Sequence, residues 1–273
     1  MTITFDQLLA QSNLPRLEAR LLLQYASNLN HANIIANGLD WVSVSTKKRF
    51  DRLVRLRKIG QPIAYLVKQR EFYGRVFLMN DSVLIPRPDT ELLVDTALSL
   101  EKNTQQKTLL DLGTGSGIIA ITLALENKDW HVVATDISAN AIALAQKNAQ
   151  LLSAKVEFFQ GNWFNCIQLM KLKFNMIVAN PPYIAMDDPH LKIGDLRFEP
   201  LEALTDYEDG FAHFKTIVAG AKNYLLPSGY LVLEHGATQG KEVRTILKKA
   251  GFAPIHTRKD LSNQERVSIG QFL

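Results

Sequence analysis

"TLLDLGTGSGIIAITLAL", residues 108–125, decides the fold. A short apolar run ends in an acid, three glycines lie within a span of five residues after it, and a mostly apolar stretch follows. That order predicts a strand, a tight loop and a helix. Glycines let a ligand approach the backbone, and the start of the helix offers free N–H groups. Two phosphate cradles are excluded by spacing. The dinucleotide pattern G-x-G-x-x-G needs glycine where Ile118 stands, and a P-loop needs a lysine that the loop lacks. Asp111 at the strand tip would repel a pyrophosphate and suits a ligand carrying positive charge.

Outward from this unit the same alternation repeats. Strands are expected at 107–111, 131–136, 156–160, 174–179, 229–234 and 267–272, with helical runs such as 117–126 and 138–151 between the first pairs. Short apolar strands alternating with helices predict an α/β fold with a mostly parallel sheet. The architecture alone names no chemistry. Two details do. Nineteen residues past Gly117, "HVVATD" ends in Asp136, where a carboxylate can accept from the two hydroxyls of a ribose. Its bland alternative is a cap for the helix starting near Ser138. The second detail is "IVANPPYIA", 177–185, where two prolines stop a strand and freeze a bend between Asn180 and Tyr183.

Before Pro86 the pattern differs. Phe5, Leu8 and Leu9 start one helix, Leu14-Pro15 another, and 46–59 forms a third, with Asn-rich loops between them. Residues 1–75 read as a small helical domain, 76–85 as a hairpin linker turning at Asn80-Asp81, and 86–273 as the α/β domain. The first 75 residues carry 12 Lys/Arg against 5 Asp/Glu, and the remaining 198 carry 19 against 22. Much of the excess lies in "KKRFDRLVRLRK", 47–58, an amphipathic helix that is either a solvated face or a docking surface for an acidic partner. No run of about 18 apolar residues exists, so no membrane span is expected. The N-terminus lacks a signal layout and Cys166 is the sole cysteine, so the cytoplasm is the expected compartment.

Together, D-L-G-T-G-S-G, the acid at 136 and N-P-P-Y at 180–183 resemble the class I S-adenosylmethionine-dependent methyltransferases that methylate planar nitrogens. "VLIPRPDTE" (83–91), "DPHLKIGDLRFEPLEAL" (188–204), "LEHG" (233–236) and "DLSNQERVSIG" (260–270) narrow the resemblance to the bacterial peptide-chain release factor glutamine N5-methyltransferases. The resemblance covers nearly the whole chain. It implies a Rossmann-like, mostly parallel sheet with helices on both faces, preceded by a helical domain that docks substrate. It implies S-adenosylmethionine as cofactor, held by Asp111, Gly113, Thr114, Gly115, Ser116, Gly117, Asp136, Asn162, Trp163 and Asn180. The family usually has an acid where Asn162 stands. It implies Asn180, Pro181 and Tyr183 as catalytic residues, with Pro182 joining them at the substrate, and class 1 release factors as partners.

Physically, a glutamine nitrogen is a poor nucleophile, because its lone pair is delocalised into the carbonyl. An acceptor at Asn180 and the Pro181 carbonyl could hold the NH2 group so that the lone pair faces a methyl donor, while Tyr183 offers an aromatic face. The alternatives are a nucleic-acid adenine N6-methyltransferase, which uses the same tetrad on a flipped base, and a cofactor-binding adaptor without activity. The net-negative catalytic part argues against stable nucleic-acid binding. Arg87, Asp89, Thr90 and Glu91 read as a helix start, with substrate contact as the sharper option. His190 and His235 have no partner at zinc-ligand spacing, so no metal is expected.

Overall fold

The structure is a computed structural model that describes residues 2–100 and 106–273. It divides into two compact units, one of Met1–Gln69 with Ile193–Phe198, the other of Arg70–Lys192 with Glu199–Leu273. No helix among the described residues is long and apolar enough to cross a membrane.

The first unit contains α1 (Phe5–Gln11), α2 (Arg16–Ser27), α3 (His31–Ala36), α4 (Val44–Lys58) and α5 (Ile63–Leu66). Caps set the starts. Thr4 and Gln7 form a reciprocal capping box on α1, and the Ser43 hydroxyl accepts from the Thr46 N–H at 3.1 Å on α4. Leu8, Leu22, Leu23, Phe50 and Val54 share one core. With Phe50 and Val54 buried, α4 leaves Lys48, Arg49, Arg52, Arg55 and Lys58 exposed. Arg57 instead turns inward. It donates to Glu18 at 2.7 and 2.9 Å and to Asp195, in the inserted segment, at 2.9 Å.

A hairpin follows at the boundary, β1 (Gln69–Phe72) and β2 (Arg75–Leu78), all but its first residue in the second unit. Its turn is Tyr73-Gly74, both at positive φ, and not Asn80-Asp81. A two-residue turn with both φ positive matches the twist of paired strands, whereas Asn80 spends its side chain accepting from the Ser82 N–H and hydroxyl in a local turn beyond the second strand. The hairpin thus spans 69–78 instead of forming a linker at 76–85.

There follow α6 (Glu91–Leu100), β3 (Thr108–Leu112), α7 (Ile118–Glu126), β4 (His131–Asp136), α8 (Ala139–Leu152), β5 (Val156–Gln160), β6 (Phe174–Ala179), α9 (Ala212–Ala221), β7 (Leu225–Glu234), α10 (Gly240–Lys249), β8 (Ile255–Lys259) and β9 (Glu265–Gln271). The seven-stranded sheet has the order β5-β4-β3-β6-β7-β9-β8. All pairs are parallel except those of β9, which runs antiparallel to β7 and β8. Helices cover both faces. Leu110 and Leu112 of β3 pack with Phe214 and Ile217 of α9 and Val243 and Leu247 of α10. Asp111, on the opposite face by strand alternation, meets the backbone of α7. Each fully buried Phe or Leu in such a core contributes about 1.5–3 kcal/mol. Successive strands build outward from β3 to β5, then the chain crosses to β6 on the other side of β3. Ligands of open α/β sheets bind at the strand ends of such a switch point.

Candidate active site

Strand register brings the sequence candidates to this crevice. Leu112 pairs with Thr135 on one side and with Ala179 on the other, and Ala179 pairs with Leu233. One residue further along each strand stand Asp136, Gly113, Asn180 and Glu234, side by side at the carboxyl edge of four neighbouring strands.

The glycine loop is tight. Gly113, Gly115 and Gly117 all have positive φ, a region costly to residues with a Cβ. The N–H groups of Gly113 and Thr114 donate to the Thr135 carbonyl at 2.9 and 3.0 Å. A Cβ at Gly117 would lie 2.8 Å from the Ile121 Cδ1. Of the loop candidates, Gly113 and Gly115 reach solvent, whereas Thr114, Ser116, Gly117 and Asp111 are buried beneath. Asp111 is fully buried. Its Oδ2 accepts from the Thr114 hydroxyl at 2.6 Å and the Ala120 N–H at 3.2 Å, while Oδ1 has no partner among the described residues. Burial pushes this carboxyl up to about 7, and Asp136 adds to the rise. Part of the positive end of α7 is therefore already spent on Asp111.

Asp136 serves two local bonds. It accepts from the Gly115 N–H at 2.8 Å, tying down the loop, and from the Ser138 N–H at 2.9 Å at the start of α8. Partial burial holds its carboxyl above the usual range. Two acceptors with two lone pairs each leave room for further donors. Trp163, at φ +47°, anchors its carbonyl on the Thr135 hydroxyl at 3.2 Å and lays its ring along the loop: a Cβ on Gly113 would meet it at 3.4 Å. The imidazole of His213 stands edge-on to the indole, centroids 5.1 Å apart. Asn162 is exposed.

In the tetrad Pro181 is buried, and Asn180, Pro182 and Tyr183 are half-buried. The Asn180 amide donates from Nδ2 to the Thr90 hydroxyl at 3.3 Å. Glu234 is 1% exposed, and burial pushes it up to about 7. Tyr183 keeps its proton, raised by burial and by Glu234. Its carbonyl accepts from Gln239 Nε2 at 2.9 Å, and a Cβ on Gly210 would sit 2.5 Å from that carbonyl oxygen. The 83–91 segment is tied in twice. Glu199, buried, accepts from the Ile85 N–H at 2.9 Å and from Arg87 at 2.5 Å, and Arg266 bridges Asp89 at 3.2 Å and Asp260 at 3.0 Å.

This edge of glycines, acids and a proline-locked bend has close parallels. Family models match twice: "PrmC N-terminal domain" over residues 4–67 and "Methyltransferase small domain" over residues 88–198. A release factor glutamine methyltransferase of Neisseria gonorrhoeae is 45% identical over 272 residues, 99% of this chain and 98% of that protein. The chain belongs to the release factor glutamine methyltransferase family. The Escherichia coli K12 member is 40% identical, covering 97% of this chain and 95% of its own length. Among solved structures, a methyltransferase from Pyrococcus furiosus aligns with a TM-score of 0.56 at 16% identity, covering 81% of this chain and 96% of that one. The Thermus thermophilus 16S rRNA N2 G1207 methyltransferase, solved with AdoMet and guanosine, aligns at 0.55 and 18% identity, over 75% of this chain and 50% of that one. These distant likenesses speak to the fold.

For this member of the release factor glutamine methyltransferase family, the structure adds residues that motif reading left without a role. Thr90 read as part of a helix start. It does lie in a single 3-10 turn, Pro88–Thr90, ahead of α6, but its hydroxyl also meets Asn180. Nothing in the sequence around Glu234, Arg266 or His213 marks these side chains as part of a site. Only register, which places Glu234 beside Asn180, could have drawn attention to that acid. His235, by contrast, is a packed core residue, with Nδ1 on the Gly236 carbonyl and Nε2 on the Ser268 hydroxyl, each at 2.9 Å.

Proposed function

We propose that the chain transfers a methyl group from S-adenosylmethionine to the side-chain amide nitrogen of the glutamine in the Gly-Gly-Gln loop of class 1 release factors, in the cytoplasm. The helical N-terminal part docks the protein substrate. The observation that carries the reading is the register that sets the glycine loop and the tetrad on adjacent strand ends, the electrophile's seat beside the acceptor.

The crevice fits the cofactor. Asp111 has a buried oxygen in need of positive charge, and Gly113 and Gly115 leave space that side chains would fill. Asp136 retains acceptor capacity for ribose hydroxyls, at about 1.5–3 kcal/mol for a charge-assisted bond. Trp163 offers a ring face for adenine, with Asn162 at its rim in place of the family's acid, a neutral acceptor for the adenine amino group. Bound there, the sulfonium supplies an activated methyl carbon.

The chain's own contribution is positioning. Asn180 Oδ1 and the Pro181 carbonyl accept the two N–H bonds of the substrate amide, and Pro182 stiffens the bend that aims that carbonyl. Tyr183, kept neutral, covers the flat amide. Alignment of this kind can supply up to about 7–11 kcal/mol of a barrier. Asparagine adds an acceptor without a full negative charge that would stabilise the ground-state sulfonium.

Incubation of labelled methyl donor with release factor, duplex DNA and ribosomal RNA side by side tests the reading. Label is expected on the release factor and absent when its target Gln is changed to Ala. Label confined to nucleic acid would transfer the assignment to adenine methylation. Asn180→Ala is expected to leave cofactor affinity largely intact by calorimetry while turnover falls by about 10²-fold or more. Asp136→Ala is expected to weaken cofactor binding instead.

A further inference from the structure

A side-chain amide is nearly symmetric in shape and opposite in chemistry at its two ends. For Asn180 to accept from a substrate NH2 group, its oxygen must face the crevice and its nitrogen the protein. A flip would aim two donors at two donors. Something must hold the orientation, and the structure shows what stands behind Asn180. The pairing of Ala179 with Leu233 sets Glu234 next to it on the adjoining strand. Thr90 receives Nδ2 at 3.3 Å. Glu234 Oε2 is buried with no hydrogen-bond partner among the described residues.

We propose that Glu234, together with Thr90, is a positioning residue that fixes the Asn180 amide with nitrogen inward and oxygen toward substrate. The proposal rests on the reading of Asn180 as the acceptor of the substrate amide. An ionised carboxylate only accepts hydrogen bonds, so it tolerates the NH2 end of Asn180 and repels the oxygen end. One NH2 group carries two hydrogens, enough for Thr90 and for Glu234 together. The Thr90 hydroxyl and the Asn180 amide both ease the charge on Glu234, as donors turned toward it would. Its carboxyl faces Thr90 and Asn180, so it acts through Asn180.

The protonation of Glu234 then gates the orientation. Protonated, the acid gains an O–H donor that can bond the Asn180 oxygen and accept the flipped amide. The charged and titratable groups facing it are Asp89 on the turn before α6, Arg266 on β9 and Tyr183 in the tetrad. Asp89 and Arg266 are paired with each other and Tyr183 keeps its proton, so Glu234 is the group among them that changes charge near neutrality. At saturating cofactor and release factor, kcat should rise through a single ionisation near neutral pH.

The experiment compares wild type with Glu234→Gln, which keeps the volume but presents both a donor and an acceptor. The expected result is a kcat drop of about ten-fold or more, with cofactor Kd and release-factor KM within about two-fold of wild type and the kcat ionisation gone. In the Asn180→Ala background the same change should cost nothing further, because the residue it positions is absent. An unchanged kcat in Glu234→Gln, a persisting ionisation, or full additivity with Asn180→Ala overturns the proposal. Should Asn180→Ala alone retain turnover, the reading of Asn180 fails, which is a separate result. If Glu234→Gln does not fold, Thr90→Ala and Thr90→Ser decide: serine should restore most of the kcat that alanine loses, and equal loss in both counts against the orienting role.

Discussion

Asp111 illustrates how burial converts a motif residue into a measurable titration. The sequence placed an acid at a strand tip and matched it to a positive ligand; what it could not show is that the carboxyl is sealed from water, because depth depends on helices α7 and α8 folding over the loop. In the unfolded chain this group has the ordinary carboxylate range of about 3.9, and in the fold it is pushed up to about 7. The folded state therefore binds the proton more tightly. Stability is fully present below the unfolded value and is lost as pH rises toward 7, by about 1.4 kcal/mol per pH unit per such group. Glu234 behaves likewise, raised by burial from the ordinary carboxylate range. Asp111→Asn is expected to make the fall of denaturant-measured stability between pH 4.5 and 7 shallower, by about 1.4 kcal/mol per pH unit. If Asp111 faces the cofactor, as the proposed function has it, the same group links cofactor binding to pH. A cationic ligand favours the ionised carboxyl, so calorimetry near pH 6 should show proton release on cofactor binding, and Asp111→Asn should abolish that release.

At the scale of elements, strong apolar runs were legible and short polar ones were not. Strands β4, β5 and β6 lie where their residues predicted, because each carries branched or aromatic residues bounded by turn signals. Helix α3, "HANIIA", lay hidden between Asn-rich stretches read as loops; Asn30 is in fact its cap, accepting from the Asn33 N–H at 2.8 Å. The residue types that mark a loop also start a helix. Strand β8, "IHTRK", carries little apolar character because it sits at the sheet edge and pairs only with β9. The loop after the tetrad is set by contacts distant in sequence, and there the structure supplies a test. Gly210, at φ +83°, lets its backbone come against the Tyr183 carbonyl, and Gln239 bonds both carbonyls at 2.9 and 3.2 Å. Gly210→Ala must displace the tetrad exit. It should lower kcat about ten-fold or more through misplacement of about an ångström, while cofactor Kd, which the proposed function assigns to the loop at 113–117, should stay near wild type.

Across the whole molecule, the chain does not divide as simply as its sequence does. The helical part reads as 1–75, yet its compact unit also takes in Ile193–Phe198, six residues that come after the tetrad and directly before the buried Glu199. Sequence reading had no means of assigning them, since a loop's packing partner is not encoded in its own periodicity. Within that unit Arg57 is the tie. Its guanidinium, 19% exposed, donates to Glu18 and Asp195 at once and is raised above its ordinary pKa chiefly by Glu18. Arg197 adds a bond to the Ile59 carbonyl at 2.9 Å. An arginine bidentate to one carboxylate and shared with another holds geometry as well as charge. Asp195 is nearly half exposed, so its share is screened, and the Glu18 pair carries most of the energy. Arg57→Ala should destabilise the helical unit by about 1–3 kcal/mol and open 193–198 to limited proteolysis. Asp195→Ala should open the same segment while leaving the denaturation midpoint nearly unchanged, since it removes only the screened partner. Cleavage that stays absent in both variants would mean that the segment is held by apolar packing around Phe198 and not by the arginine.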